Sequence, residues 1–172
     1  MIRDVMRYVE RRLAGIRLAY RARLSTLGKG AAMQLVQAEA LSGETLQAAE
    51  LAQHFGFTSG PPAGTQLIVL PLGGSTAHSV IIATENGAYR VDVQSGEACI
   101  YSQWGDKVHL KREEIEVATR RLVVTAPDGM TLAGDVMLAG SLTATGDVVA
   151  GGVSLQHHTH PGCQGGSTGE AR

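Results

Sequence analysis

Residues 134–155 limit the possible fold more than any other stretch. Gly134, Gly140, Gly146 and Gly152 open successive units of six residues. Apolar residues stand second and fourth after each of the first three glycines: Val136 and Leu138, Leu142 and Ala144, Val148 and Ala150. Alternation of this kind is that of a β-strand with one buried face. A glycine at each corner lets the backbone turn where a Cβ would clash. Six residues are too few for an ordinary hairpin with its loops, but they suit one rung of a stacked solenoid.

The pattern continues upstream with looser spacing, through Val91-x-Val93, Val108-x-Leu110, Ile115-x-Val117, Leu122-x-Val124 and Met130-x-Leu132. The rungs shorten toward the C-terminus and their inner residues shrink, which describes a tapering rod. One chain cannot hold such a rod together. A three-residue strand turns two side chains inward, each worth about 1.5–3 kcal/mol when fully buried. Fixing the backbone of its rung costs roughly 1–2 kcal/mol per residue. Three identical chains wound about one axis would supply partners on both sides and close every edge. The expectation for residues 89–152 is therefore an intertwined homotrimeric triple-stranded β-helix. A monomeric antiparallel sheet with irregular hairpins is the alternative. For residues 130–155 the spacing disfavours it; for residues 89–125 the pattern does not decide.

The composition agrees with thin elements and small inner residues. Of 172 residues, 22 are glycine and only 4% are aromatic, where a large globular core would carry more rings. Cys99 and Cys163 lie in different segments and form no motif, which argues against a disulfide framework and fits assembly in a reducing cytosol. No stretch is long and apolar enough to span a bilayer, and no cleavable signal peptide is read at the N-terminus. Charge is uneven. Residues 1–23 hold seven arginines against Asp4 and Glu10, a net of +5, and the rest of the chain carries −6. From Met130 onward the only charged side chains are Asp135, Asp147, Glu170 and Arg172.

Residues 1–21 read as a basic amphipathic helix. Ile2, Val5, Met6, Val9, Leu13 and Ile16 form an apolar stripe, with the arginines largely off it. Docking on a protein partner or on its own domain, the commoner role, is favoured over a membrane or nucleic acid; with only Tyr8 and Tyr20 among the arginines, the nucleic-acid reading is weakened. Residues 22–88 change to strand patterns, at 22–27, 33–41, 64–71 and 78–84, with turn signals at Gly28-Lys29-Gly30, Gly60-Pro61-Pro62 and Gly73-Gly74. Gly28-Lys29 lacks the spacing and the Ser or Thr of a phosphate loop. About five strands in this length suggest a small barrel of the OB-fold type.

A series of motifs then points to a known family. His54-Phe55-Gly56-Phe57-Thr58-Ser59-Gly60-Pro61-Pro62-Ala63-Gly64 leads into Leu67-Ile68-Val69-Leu70, and Gly73-Gly74 precedes His78-Ser79-Val80-Ile81-Ile82-Ala83. Gly96-Glu97-Ala98-Cys99-Ile100-Tyr101 and Val108-His109-Leu110 follow. The last is Ser154-Leu155-Gln156-His157-His158-Thr159-His160-Pro161-Gly162. In order and over nearly the whole chain, the series resembles the baseplate assembly protein V family of Mu-like contractile-tail phages, the central tail spike. The resemblance implies a homotrimer whose OB-fold domain attaches to the baseplate hub. Its β-helix tapers to an apex at residues 153–172, where a His-x-His motif from each chain holds iron. It also implies a place at the baseplate tip of the virion, after assembly in the host cytoplasm. Sheath contraction would drive the needle through the host outer membrane. About nine rungs at the 4.8 Å spacing of paired strands make a needle on the order of 40 Å long, and a tip nearly free of charge lowers the cost of entering lipid.

His158 and His160 are spaced i, i+2, which on an extended strand puts both on one face. Around a threefold axis six imidazoles converge, a donor set for one octahedral Fe(II) per trimer and a poor one for four-coordinate zinc. His157 falls on the other face. A flexible tail with incidental histidines is the plainer alternative, and Gly- and Ser-rich residues 162–172 fit a tail. Pro161 and Cys163 depart from the family pattern; Cys163 is a packing residue or a soft ligand. Asp135 and Asp147, at the corners after Gly134 and Gly146, are candidates for a calcium site, although corner aspartates are commonly turn residues. Two other functions compete. A small metal-dependent hydrolase would use His157, His158, His160 and Cys163, but it lacks a neighbouring carboxylate base and a pocket. A binding module would use the barrel and the arginine-rich helix for nucleic acid or glycan. No specific nucleic-acid partner is expected.

Overall fold

The computed structural model describes residues 2–30, 32–162 and 165–169. The chain divides into a compact unit ending at Leu122 and a second beginning at Val123. The fold is mostly β, with one helix, α1, at Ile2–Ala14. The helix ends earlier than the apolar stripe suggests. Gly15 follows it, and from Ile16 the apolar spacing changes to alternation through Leu18 and Tyr20 into the first strand.

Five strands close a barrel: β1 (Tyr20–Gly28), β2 (Gln34–Glu39), β3 (Thr45–Leu51), β4 (Gln66–Leu72) and β5 (Ser75–Glu85). The order around the barrel is β1-β2-β3-β5-β4. Every neighbouring pair is antiparallel except β3 with β5, where Glu50 and Leu51 lie beside Val80 and Ile81 in parallel. That single parallel pairing closes the sheet and gives the OB-like topology expected from the sequence.

The core is aliphatic. Ala22, Leu24, Val36, Ala38, Leu46, Ala49, Leu51, Leu67, Val69 and Ile81 are buried together, without a ring among them. Strand β3 has no simple alternation in the sequence, because Ala48 takes a left-handed φ of +53° and the β2–β3 register shifts there. The extra residue of this bulge moves the inward positions from Leu46 to Ala49 and Leu51. Buried Thr65 ties the barrel mouth: its hydroxyl donates to Pro62 O at 2.6 Å and accepts from Asn86 Nδ2 at 3.0 Å.

Three short strands follow in the same unit: β6 (Ala98–Tyr101), β7 (Lys107–Leu110) and β8 (Ile115–Ala118). They pair in sequence order as an antiparallel meander. Residues 98–118 thus take the hairpin alternative within one chain, while Val91-x-Val93 forms no strand. The turns and charges explain the choice. Gly105, with φ +91°, sits in the first turn, and Lys111 N–H donates to Glu114 O in the second. Glu116 bonds Lys111 at 2.8 Å and Lys107 at 3.0 Å, and these two partners hold its carboxyl down at about 2. His109, 6% exposed, meets Glu97 at 3.1 Å.

Replacing Leu67 by Ala should lower stability by about 2–5 kcal/mol, the cost of a cavity in a packed core. Gln37→Ala, on the outer side of β2, should change it by less than about 0.5 kcal/mol. Chemical denaturation followed by circular dichroism checks both.

Candidate functional site

The second unit contains the glycine-spaced hexads and the histidines. Along residues 123–148 no strand is formed, and the backbone carries a turn at 127–128 and bends at 134, 139–140 and 145–146. Its apolar side chains are uncovered: Val123, Val124, Met130, Leu132, Val136, Leu138 and Leu142 are all exposed, between 57% and 74%. Met137 is 94% exposed. Single exposed aliphatics are ordinary on a protein surface; a continuous run of them marks an interface.

The regular spacing breaks at the doubled glycine. Strands β9 (Val149–Ala150) and β10 (Val153–Ser154) pair across a two-residue turn. Gly151 and Gly152 have φ of +58° and +82°, the two left-handed positions that a tight hairpin turn of this hand requires. Asp147 then fixes the segment beyond the hairpin. Its Oδ1 accepts the Gln156 N–H at 3.0 Å, and His157 N–H donates to Ser154 Oγ at 2.7 Å. The Ser154 hydroxyl, followed by the Gln156 N–H, holds the Asp147 carboxyl below its ordinary range. Asp147 therefore serves this turn. Asp135 is exposed at its own corner.

This turn delivers the histidines. The rings of His158 and His160 meet edge to face, with centroids 5.1 Å apart, so the structure brings the two expected site residues together. Nδ1 of His158 lies 3.0 Å from Ser154 O and 3.1 Å from Leu155 O. Carbonyl oxygens only accept, so in the neutral imidazole the proton sits on Nδ1 and the lone pair on Nε2. Metal-bound imidazoles are commonly oriented in this way, by a backbone carbonyl on the far nitrogen. After His160 the chain folds back. His160 and Thr168 exchange two hydrogen bonds of 2.9 Å, and Pro161 bridges to Ser167. Cys163 lies outside the described residues. Among the described residues of one chain, no three His, Cys, Asp or Glu side chains gather as a metal shell. Two imidazoles per chain form only part of a shell, so an axial metal would take its other donors from other copies.

Sequence reasoning missed the carboxylate anchors of the site and of the meander. Asp147 as a turn fastener was visible only as a corner residue. Asp106 accepts from Ser102 and Thr119 at 3.1 and 2.9 Å, and nothing in its sequence spacing marks it.

A small closed barrel, a β-meander and an exposed apolar segment ending in paired histidines make up a mostly β protein. Residues 21–88 match the family described as Bacteriophage Mu Gp45, N-terminal. The baseplate puncturing device gp45 of Escherichia phage Mu is 26% identical over 169 residues, an alignment covering 87% of this chain and 86% of that protein. The Mu-like prophage FluMu protein gp45 of Haemophilus influenzae is 25% identical over 159 residues, covering 83% and 86%. Over the barrel the chain thus matches the model of this family, and over most of its length it is similar to two gp45 proteins, the likeness that its motifs imply.

Because the folded state holds Asp147 ionised, its contribution to the turn is full above its unfolded value of 3.8 and is lost as pH falls through the lower folded value. The Gln156 amide resonance should therefore shift with an apparent midpoint below 3.8. In Asp147→Asn that titration should vanish, and NMR across the acid range checks it.

Proposed function

We propose that this chain is the subunit of a homotrimeric spike beneath a contractile-tail baseplate, a needle that pierces the host outer membrane when the sheath contracts. The uncovered apolar run of residues 122–155 carries this reading. Its backbone has no ladder of its own beyond the β9–β10 hairpin, and its side chains have no core. Winding with two sister chains supplies both. The name of the phage Mu relative, a baseplate puncturing device, supports the baseplate role. The barrel, folded within one chain, is the part suited to holding the hub.

The near absence of charge beyond Met130 suits a tip that meets lipid. At that tip, His158 and His160 of three chains would bind one iron through six imidazole nitrogens. The carbonyls that hold the His158 Nδ1 proton leave its Nε2 as the available donor, which fits this role. The metal would fasten chain ends where strand pairing runs out. A calcium at Asp135 and Asp147 is a further proposal. For Asp147 such an ion would compete with the Gln156 N–H.

Native mass spectrometry should give three times the chain mass, and metal analysis about one iron for each three chains. The double variant His158→Ala, His160→Ala should lose the iron and stay trimeric, because the rod's burial outweighs the cap. One iron per chain contradicts the axial site, and a monomeric parent protein contradicts the spike.

A further inference from the structure

Among the described residues, the first unit leaves several apolar surfaces without cover from their own chain, the meander face at Ile100, Val108 and Val117 among them, and two of these surfaces fit each other. One is the outer face of β4 and β5. Ile68, Leu70 and Leu72 alternate with buried Leu67, Val69 and Pro71, and so point outward. Leu70 stands opposite Val80, and Ile82 is the extra residue where the β4–β5 register shifts. Leu70, Leu72 and Ile82 are 37%, 53% and 51% exposed. The outer side of a barrel normally alternates to polar residues; aliphatics on two adjacent strands mark a face that something covers. The other surface is the stripe of α1, where Ile2, Val5, Met6, Val9 and Leu13 are all exposed. A helix of 13 residues is marginal on its own in water, so it too needs a surface to rest on.

The exit of the helix separates the possible covers. Gly15 N–H bonds Arg12 O and Ile16 N–H bonds Leu13 O, closing the last turn. Arg17 N–H then donates to Gly74 O at 3.1 Å, and the Arg17 guanidinium bonds Glu44 at 2.7 Å. Ile16 presses on Gly74, whose φ is +78° and whose added Cβ would lie 3.1 Å from Ile16 Cγ2. The bend is thus pinned to the tip of the β4–β5 hairpin, and the helix leaves its own barrel with every side exposed. In this position α1 leaves its own β4–β5 face uncovered, and covering that of another copy requires undoing none of these bonds. The charges match as well. The helix carries Arg3, Arg7, Arg11 and Arg12 against Asp4 and Glu10. Glu50, beside Val80, and Glu85, at the end of β5, border the apolar face. At 1.5 Å per residue the helix is about 20 Å long, and a seven-residue strand is about 23 Å, so one spans the other.

We propose that α1 of each copy lies across the outer face of β4 and β5 of a neighbouring copy, arginines toward Glu50 and Glu85, and that three such contacts close a ring. This rests on the trimeric reading above. Each barrel is then clasped by the helix of the next, and the trimer is held at its wide end as well as along the rod.

Cross-linking tests it in the full chain carrying Cys99→Ser and Cys163→Ser. With Val9→Cys and Leu70→Cys together, mild oxidation should link most chains to one another on a non-reducing gel, while either substitution alone should leave most chains unlinked. A disulfide within one chain, efficient linkage by Val9→Cys alone, or no linkage overturns the proposal. Native mass on the same sample separates the two readings: a trimer without the linkage sinks the clasp only, and a monomer sinks the trimer. In Leu70→Asp with the native cysteines, trypsin should cut within α1 at least tenfold faster than in the parent. An unchanged rate contradicts the clasp.

Discussion

Backbone groups removed from water must find partners, and apolar side chains must find neighbours. In the barrel both demands are met inside one chain. In the first two hexads neither is: no strand of residues 134–145 pairs within the chain, and their apolar side chains are exposed. The difference divides the molecule into a part covered within its own chain and a part that is not. A protein to which the chain is similar is named for puncturing, and a braided rod is a physical form suited to that work. Strands paired on both sides leave no edge to peel under axial load.

The barrel shows the opposite economy of design. Its closure depends on one parallel pairing, β3 with β5, and on a core of small and medium aliphatics. Few aromatic residues are needed because the barrel is narrow. Those the chain does have sit mostly outside the core: Phe55, Phe57, Tyr89, Tyr101 and Trp104 are all exposed. Between barrel and hexads, the meander is fixed by charge pairs on short strands. Lys107, Lys111 and Glu116 form the main one.

Much of this was legible in the residues, and the failures have physical causes. Ala22 with Leu24, Val36 with Ala38, and Leu67 with Val69 alternate plainly, and the strands they mark are present. Strand β3 was hidden because the bulge at Ala48 breaks the alternation. The helix was read too long because Ile16 fits a helical stripe as well as it fits the extended run to Tyr20. Residues 98–118 were left open between rungs and hairpins, and the hairpins win where Gly105 and the Lys111–Glu114 turn reverse the chain. Toward the C-terminus, the meeting of the His158 and His160 rings agrees with their i, i+2 spacing. The carbonyls that fix the His158 proton were not legible there, since they depend on a turn that Asp147 and Ser154 build across several residues. Gly151-Gly152 looked like one more corner and is instead a hairpin turn.

If the spike is the trimer proposed above, residues 122–145 find strand partners and a core only between chains. Hydrogen–deuterium exchange on the assembled protein reads this directly. Amides along this stretch should resist exchange for hours, at least as well as those of the barrel strands. Exchange within seconds, at the rates of an open chain, would contradict the claim.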